Sequence, residues 1–355
     1  MKYTVGIDIG TTNIETAISN EDGHITVQDL RQNPLCAYGR DVMTRIGKAN
    51  EGKLHDMTIC LRNALREEFY AILTAAKISS YDILKIVIAA NTTMVHILMG
   101  YDCTGLGAFP FKDVHTESII SDSKTLMIYE SLAVPVEITK GFSAFVGGDI
   151  YSGLKTLPEC DDFLFIDMGT NAEMVLVLGN DVYITSAAAG PAFETCSIGH
   201  ASDVIDRLTF MLDEKIMDET GLLTDEYFEN GIDIEGIYFS QKKIRDLQMA
   251  KAAVRAGIEL LTDAAGVRYD PLKIYIAGTF GYNLNISNCI RIGMFPKWFK
   301  NSAVAVGNTS LKGTFIGPDL PTSFLSYEQK NIREIILADL PDFNDLYISY
   351  MNFDC

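Results

Sequence analysis

Two aspartates occupy equivalent places in two similar segments of the chain. Asp8 and Asp167 each close an apolar stretch, and each is followed by an apolar residue, a glycine and a threonine. A carboxylate at the end of a buried strand is costly to desolvate unless a cation compensates its charge, and hydrated Mg²⁺ suits that role. The repeated pattern predicts a Mg²⁺ ion clamped between two domains, whereas either aspartate alone would equally suit an ordinary turn.

The residues that follow each aspartate predict phosphate binding. Gly10 and Gly169 allow the chain to turn tightly after the strand. Neighbouring amides and side chains can donate hydrogen bonds to phosphate oxygens without a lysine; these belong to Thr11, Thr12, Asn13, Thr170 and Asn171. Because the chain contains no GxxxxGK[ST] sequence, a Walker-type site is not expected.

Other polar residues are weaker candidates. Asp149, in Phe-Val-Gly-Gly-Asp-Ile, lies near the start of a predicted helix and could orient a water molecule or bind the hydration shell of a metal. Helix capping is the alternative role for this side chain. Gly190, before Pro191, is a candidate for lining a cleft. A structural role is favoured for His96, His200 and Cys196.

The elements that must position these residues alternate between strands and helices. Residues 3–19 and 163–178 each predict a strand, a tight turn and a second strand, and the regularity of this half-chain repeat predicts a duplicated α/β domain. Further strands are predicted at 83–90, 181–187 and 273–277, and helices at 56–77, 142–157 and 240–264. The predicted domains are 1–158 and 159–355, divided where proline and charged residues cluster.

Composition limits the functions that the chain can have. The 355 residues carry a net charge of −18, which disfavours binding to nucleic acid or to an anionic membrane. The N-terminus resembles no export signal, and no apolar run approaches the ~20 residues that span a bilayer, so a cytoplasmic location is expected. The seven cysteines include no CxxC pair, so no iron–sulfur cluster is expected in this chain.

Three motifs resemble those of the actin, sugar-kinase and heat-shock-chaperone superfamily. GIDIGTTN is similar to its first phosphate motif, FIDMGTNAEM to its second and IYIAGTFG to its adenosine motif. The resemblance implies two ribonuclease-H-like domains of the actin-like ATPase fold, with ATP and Mg²⁺ in the cleft between them. It also implies that Gly278 and Gly281 contact the adenosine.

Further motifs resemble the ATPase part of the reductive activators of corrinoid proteins, over nearly the whole chain. They are Asn33-Pro, Tyr38-Gly-Arg-Asp-Val, Asn91-Thr-Thr-Met-Val-His, Val146-Gly-Gly-Asp-Ile, Ala188-Ala-Gly-Pro-Ala-Phe-Glu194, Gln248-Met-Ala-Lys-Ala-Ala-Val-Arg-Ala-Gly257 and Val306-Gly-Asn. The resemblance implies that ATP hydrolysis drives the reduction of a corrinoid methyl-carrier protein from Co(II) to Co(I). Ala90, Thr195 and Lys243 depart from the residues usual in that family.

Members of that family carry an N-terminal ferredoxin-like domain with a [2Fe–2S] cluster. This chain begins at the phosphate motif, so the expected electron source is a separate donor. Two other functions remain open, namely a small-molecule kinase of the same superfamily and a nucleotide-responsive module that binds a partner without turnover. The sequence also leaves a homodimer open.

Overall fold

The computed structural model describes residues 1–158, 162–193, 201–267, 272–278, 284–317 and 330–353. The chain divides into two compact units. The first comprises Met1–Glu159 and Asn308–Tyr327, and the second comprises Cys160–Gly307 and Glu328–Cys355. The segment that begins at Asn308 therefore groups with the first unit, although the sequence-based division assigns it to the second half of the chain.

The described strands form two six-stranded sheets and one two-stranded sheet. In chain order they are β1 (Tyr3–Ile9), β2 (Asn13–Asn20), β3 (Ile25–Gln32), β4 (Ile83–Ala90), β5 (Ile119–Asp122), β6 (Pro135–Ile138), β7 (Asp162–Met168), β8 (Ala172–Leu178), β9 (Asp181–Ala187), β10 (Ile232–Ile234), β11 (Ile237–Phe239), β12 (Lys273–Ala277), β13 (Ala303–Gly307) and β14 (Asn331–Glu334).

The described α-helices accompany these sheets. In chain order they are α1 (Val42–Lys48), α2 (Leu54–Ala76), α3 (Thr92–Met99), α4 (Gly148–Leu154), α5 (Ala201–Asp213), α6 (Asp225–Phe228), α7 (Gln241–Ala264), α8 (Ile286–Arg291), α9 (Thr309–Gly313) and α10 (Phe343–Ser349). None of the described helices combines the length and the apolar character needed to cross a bilayer.

The two large sheets share the order and directions of five strands, and differ in the sixth: β5 is antiparallel to β6 at one edge of the first sheet, whereas β14 is parallel to β9 at the opposite edge of the second. In the first unit the order is β3-β2-β1-β4-β6-β5, where β1, β2 and β3 are antiparallel and β4 and β6 extend the sheet in parallel from β1. In the second unit the order is β13-β12-β7-β8-β9-β14, with β7, β8 and β9 antiparallel and β12 and β13 parallel to β7. This matching order confirms the α/β fold with a duplicated unit that the sequence repeat predicted.

Each unit has its own apolar core. In the first unit, α2 buries Met57, Leu61 and Leu65 at four-residue spacing beneath the strands. In the second, α7 buries Ile244 and Ile258 among the side chains of its sheet, on the face that the helical periodicity predicted. Each of the two sheets that end in an Asp-x-Gly-Thr turn is therefore backed by its own apolar core.

One predicted helix is shorter than expected. Residues 142–157 were predicted as helical, but α4 covers only Gly148–Leu154. A Cβ atom on Gly147 would lie 2.7 Å from the Thr92 nitrogen, and one on Gly148 would lie 2.6 Å from Thr139 Oγ1. The backbone passes so close to the start of α3 and to the residue after β6 that it runs extended through Gly147, and the helix begins only afterwards.

Candidate functional site

Asp8 is an acidic residue of the first unit with a hydrogen-bond donor on each carboxylate oxygen. It is partly buried near the end of β1, between the fully buried side chains of Ile7 and Ile9. Asn308 Nδ2 donates to its Oδ2 atom at 3.0 Å, and Ser310 Oγ donates to its Oδ1 atom at 2.8 Å. Both carboxylate oxygens are thus held by neutral donors.

Asp149 lies close enough to Asp8 for the two charges to interact. Burial raises the pKa of Asp149 to about 6. Burial, and then the charge of Asp149, raise the pKa of Asp8 to about 7, against the opposing effect of the Asn308 and Ser310 hydrogen bonds. The raised pKa values show that the ionised form of each carboxylate is destabilised, and a nearby positive charge would stabilise it.

Helix α4 carries Asp149 at its second residue. The N-cap position belongs to Gly147, and the Asp149 Oδ1 atom accepts a hydrogen bond from the backbone nitrogen of Ile150 at 2.9 Å. Asp149 is therefore not the capping residue of α4. The close packing of the two preceding glycines determines where this carboxylate lies.

The turn after β1 is held through its carbonyl groups. Asn33 Nδ2 donates to the Gly10 carbonyl at 2.8 Å, the Asn33 backbone nitrogen donates to the Thr12 carbonyl at 2.8 Å, and Arg45 Nη2 donates to the Thr11 carbonyl at 2.6 Å. Asn33 and Arg45 are both fully buried. Three successive carbonyl groups are thus anchored by one segment, which fixes the shape of the turn.

The hydroxyl group of Thr11 is held as well. Asn91 Nδ2 donates to Thr11 Oγ1 at 3.2 Å, while Asn91 Oδ1 accepts from the Met94 nitrogen at the start of α3. Because the cap fixes the orientation of the Asn91 amide, its donor group faces Thr11. The turn is therefore held by hydrogen bonds from the protein itself, and turns of this kind can bind anions through their backbone amides.

The second unit repeats the turn after β7. Asp167 lies next to last in that strand, and the Gly169 nitrogen donates to the Asn171 carbonyl at 2.9 Å. Gly278 follows β12 with φ of 89°, and a Cβ atom there would lie 2.7 Å from Asp167 Oδ1. Only glycine fits this approach. The second-unit candidates Asp167, Gly169, Thr170, Asn171 and Gly278 therefore lie at neighbouring strand ends.

Some sequence candidates lie elsewhere or outside the described residues. Gly190 adopts φ of 72° after β9. Gly281, which was expected to contact adenosine, lies outside the described residues, as do Cys196 and His200. That the two units act on one nucleotide stays a prediction.

His96 has the structural role that was favoured for it. Its Nδ1 atom is 2.8 Å from the Asp102 carbonyl, and its Nε2 atom accepts a hydrogen bond from the His115 backbone nitrogen. These partners require the neutral tautomer with a proton on Nδ1. Burial lowers the pKa of His96, in agreement with a neutral ring.

Mg²⁺ suits the acidic side chains of the first unit. Asp8 and Asp149 offer only oxygen ligands, and a divalent cation would relieve the desolvation and the repulsion that raise their pKa values. Among the described residues, no three His, Cys, Asp or Glu side chains form a ready-made metal cage. Mg²⁺ typically binds one or two carboxylates and keeps several water molecules, so such a cage is not required.

Family comparisons cover nearly the whole chain. The middle region of RACo matches residues 3–157, and the C-terminal domain of RACo, the ASKHA domain, matches residues 161–207 and 201–354. The chain belongs to the RACo family. RACo-family membership places it in the actin-like ATPase superfamily, as its three motifs predicted.

Individual relatives agree with this assignment. The corrinoid activation enzyme RamQ of Eubacterium limosum is 27% identical, over 98% of this chain and 69% of RamQ. A [Co(II) methylated amine-specific corrinoid protein] reductase of Methanosarcina barkeri is 27% identical, over 42% of this chain and 37% of that protein.

A solved structure shows the same fold. The reductive activator for corrinoid, iron-sulfur protein superposes on 99% of this chain with a TM-score of 0.89 and 24% identity. This RACo-family chain covers 66% of that structure and 69% of RamQ. It therefore spans about two thirds of the length of these two relatives.

Several residues of the site escaped the sequence reasoning. Asn308 appeared only as the end of the Val-Gly-Asn motif with no role assigned, and Ser310, Asn33 and Arg45 were not proposed as site residues. Glu15 lies directly across the β1–β2 ladder from Asp8, and Glu173 lies across from Asp167. The signal for the glutamates was present, because Thr-Asn-x-Glu follows the glycine directly in the second repeat and after one further threonine in the first.

Proposed function

We propose that this chain hydrolyses Mg·ATP and uses the hydrolysis to drive the reduction of a corrinoid methyl-carrier protein from Co(II) to Co(I), with the electron supplied by a separate donor. The observation that carries the ATPase proposal is the pair of acids, Asp8 and Asp149, beside a turn whose carbonyl groups are anchored. The names of RamQ and of the Methanosarcina barkeri reductase support the corrinoid partner.

The residues of the first unit have distinct roles in this proposal. The Gly10–Asn13 turn binds phosphate oxygens through amide and hydroxyl donors. Asp8 holds the hydration shell of Mg²⁺, which, when bound, would neutralise charge on the phosphates. Asp149, which has a pKa of about 6, is mostly ionised at neutral pH and accepts a hydrogen bond from the attacking water.

The residues of the second unit complete the nucleotide contacts. Asp167 takes part in holding the metal, and Gly169, Thr170 and Asn171 bind phosphate oxygens. Gly278 allows the chain to approach the adenosine closely. ATP and water yield ADP and phosphate, while one electron from the donor converts Co(II) to Co(I), so the two reactions balance separately and are coupled through the protein.

The test measures both reactions together. ATP hydrolysis is followed in the purified protein with Mg²⁺, alone and with a Co(II) corrinoid carrier protein and titanium(III) citrate, while the corrinoid absorbance reports Co(I). We expect the carrier to stimulate hydrolysis and Co(I) to form only with ATP. Asp8→Ala should abolish both signals, whereas Asp22→Ala, which removes an exposed carboxylate of the β2–β3 turn, should leave them unchanged.

Other outcomes identify other functions. ADP formation that depends on a small hydroxyl or carboxylate compound, and not on a corrinoid carrier, would indicate a kinase. Partner binding that depends on ATP but occurs without turnover would indicate a binding module. Absence of ATP binding by the wild-type protein would contradict the ATPase proposal itself.

A further inference from the structure

The first turn of α9 supplies both donors to Asp8. Asn308 caps this helix and Ser310 is its second residue, and both side chains reach a carboxylate about 300 positions earlier in the chain. The Asn308 amide also donates to the Glu15 carboxylate across the β1–β2 ladder. One short helix therefore contacts the two carboxylates on adjacent strands.

These donors are held rigidly. Asn308 Oδ1 accepts from the Leu311 nitrogen at 3.0 Å, so the Nδ2 group must face the carboxylates. Ser152 Oγ donates to the Ser310 carbonyl at 2.7 Å, and a Cβ atom on Gly313 would lie 2.5 Å from Ser152 Oγ. Helix α9 is thus tied to α4, the helix that carries Asp149.

The residue between the two donors offers a contrast. Thr309 is buried, and its hydroxyl has no hydrogen-bond partner among the described residues. The side chains of Asn308 and Ser310, which are also buried, are directed instead at the two oxygens of a single carboxylate. Filling of the core alone does not account for this arrangement.

We propose that Asn308 and Ser310 are positioning residues that each hold one oxygen of Asp8, so that its carboxylate presents one fixed orientation to hydrated Mg²⁺. Hydrogen-bond donors to a metal-ligating carboxylate fix its orientation and leave its remaining lone pairs for the metal or its water molecules. The inference rests on the proposed function, because it assigns these residues to the metal-dependent part of nucleotide binding.

Two variants separate this role from helix stability. Ser310→Ala removes one donor and keeps the helix. Asn308→Ser keeps a side-chain acceptor that can cap α9 but is too short to reach Asp8 and Glu15. Thr309→Val is the matched control, because it replaces a buried hydroxyl that has no described partner with a methyl group of similar size.

The dissociation constant of ATP is measured by calorimetry for each variant, once with Mg²⁺ and once with EDTA, and the melting temperature is measured without nucleotide. We expect Ser310→Ala and Asn308→Ser to weaken Mg·ATP binding about tenfold or more, as loss of a residue that supports a metal ligand typically does. Binding in EDTA should change little, the melting temperature should fall only modestly because each variant leaves a buried carboxylate with one donor fewer, and Thr309→Val should match the wild type throughout.

Two results would overturn the inference while the proposed function stands. The first is wild-type Mg²⁺ dependence in both variants. The second is an equal loss with Mg²⁺ and with EDTA together with a lower melting temperature, which would identify a structural role. If wild-type protein binds ATP equally well in Mg²⁺ and in EDTA, the proposed metal role of Asp8 fails, and the inference fails with it.

Discussion

Replacing Asp8 with asparagine should change how the stability of the protein depends on pH. The pKa of Asp8 is raised from 3.8 to about 7, first by burial and then by the charge of Asp149. At ~1.4 kcal/mol per pKa unit, this difference corresponds to about 4 kcal/mol. Because the pKa is higher in the folded protein, the contribution is fully present below pH 3.8 and is lost as the pH rises through about 7.

Asparagine cannot ionise, so the variant should not suffer this loss. The free energy of unfolding of nucleotide-free protein in EDTA, measured by urea denaturation with circular dichroism, should shift in favour of Asp8→Asn by about 4 kcal/mol between pH 4 and pH 8. The new amide can direct its oxygen at the Asn308 donor and its nitrogen at the Ser310 hydroxyl, which can also accept a hydrogen bond, and any remaining cost is the same at every pH. The change with pH is therefore more informative than the absolute difference.

A control variant makes the test specific. Asp22→Asn removes a carboxylate from an exposed turn and should follow the wild-type curve with pH. If the curves of Asp8→Asn and the wild type stay parallel from pH 4 to pH 8, burial does not destabilise the ionised Asp8, and the argument that this residue needs a cation fails.

Three further predictions concern single side chains of the two units. In the wild type, kcat/KM for ATP should fall below about pH 7, as first Asp8 and then Asp149 becomes protonated, and Asp149→Asn should lose the lower part of this limb and about 10²-fold or more of the rate. Arg45→Met should lower the melting temperature and weaken ATP binding, because a buried carbonyl of the phosphate turn loses its donor, at a cost of about 1–3 kcal/mol; unchanged binding would show that this anchor is dispensable. Gly278→Ala should destabilise the protein by about 1–3 kcal/mol because of its positive φ and close packing. Gly190→Ala, which also has positive φ but no described atom within 4 Å of the new Cβ, should cost less by thermal melting.

Local patterns predicted much of the fold. The strands β4, β9 and β12 were predicted with the bounds that the structure has, because each is a short apolar run between turn residues. The two hairpins were recognised because they share one pattern of alternation and one Asp-x-Gly-Thr turn. The predicted helix before β7 was too long, because sequence periodicity does not register how closely Gly147 packs on α3.

The candidate site was predicted only in part. The acids and the turns were found because they lie within single motifs. Asn308 and Ser310 contact Asp8 across about 300 residues, and nothing local to either segment indicates this contact. The roles of Asn33 and Arg45 were missed because their partners are backbone carbonyl groups, and any residue can offer one.

The anchored turn after β1 has a consequence for protein engineering. The shape of its four residues, Gly10–Asn13, depends on hydrogen bonds that their carbonyl groups accept from a segment more than twenty residues downstream. Transplanting the four residues alone into another scaffold would leave these carbonyl groups without their donors. The smallest portable module for this turn therefore extends from β1 through Arg45, and chimeras within the family should exchange that stretch as a single block.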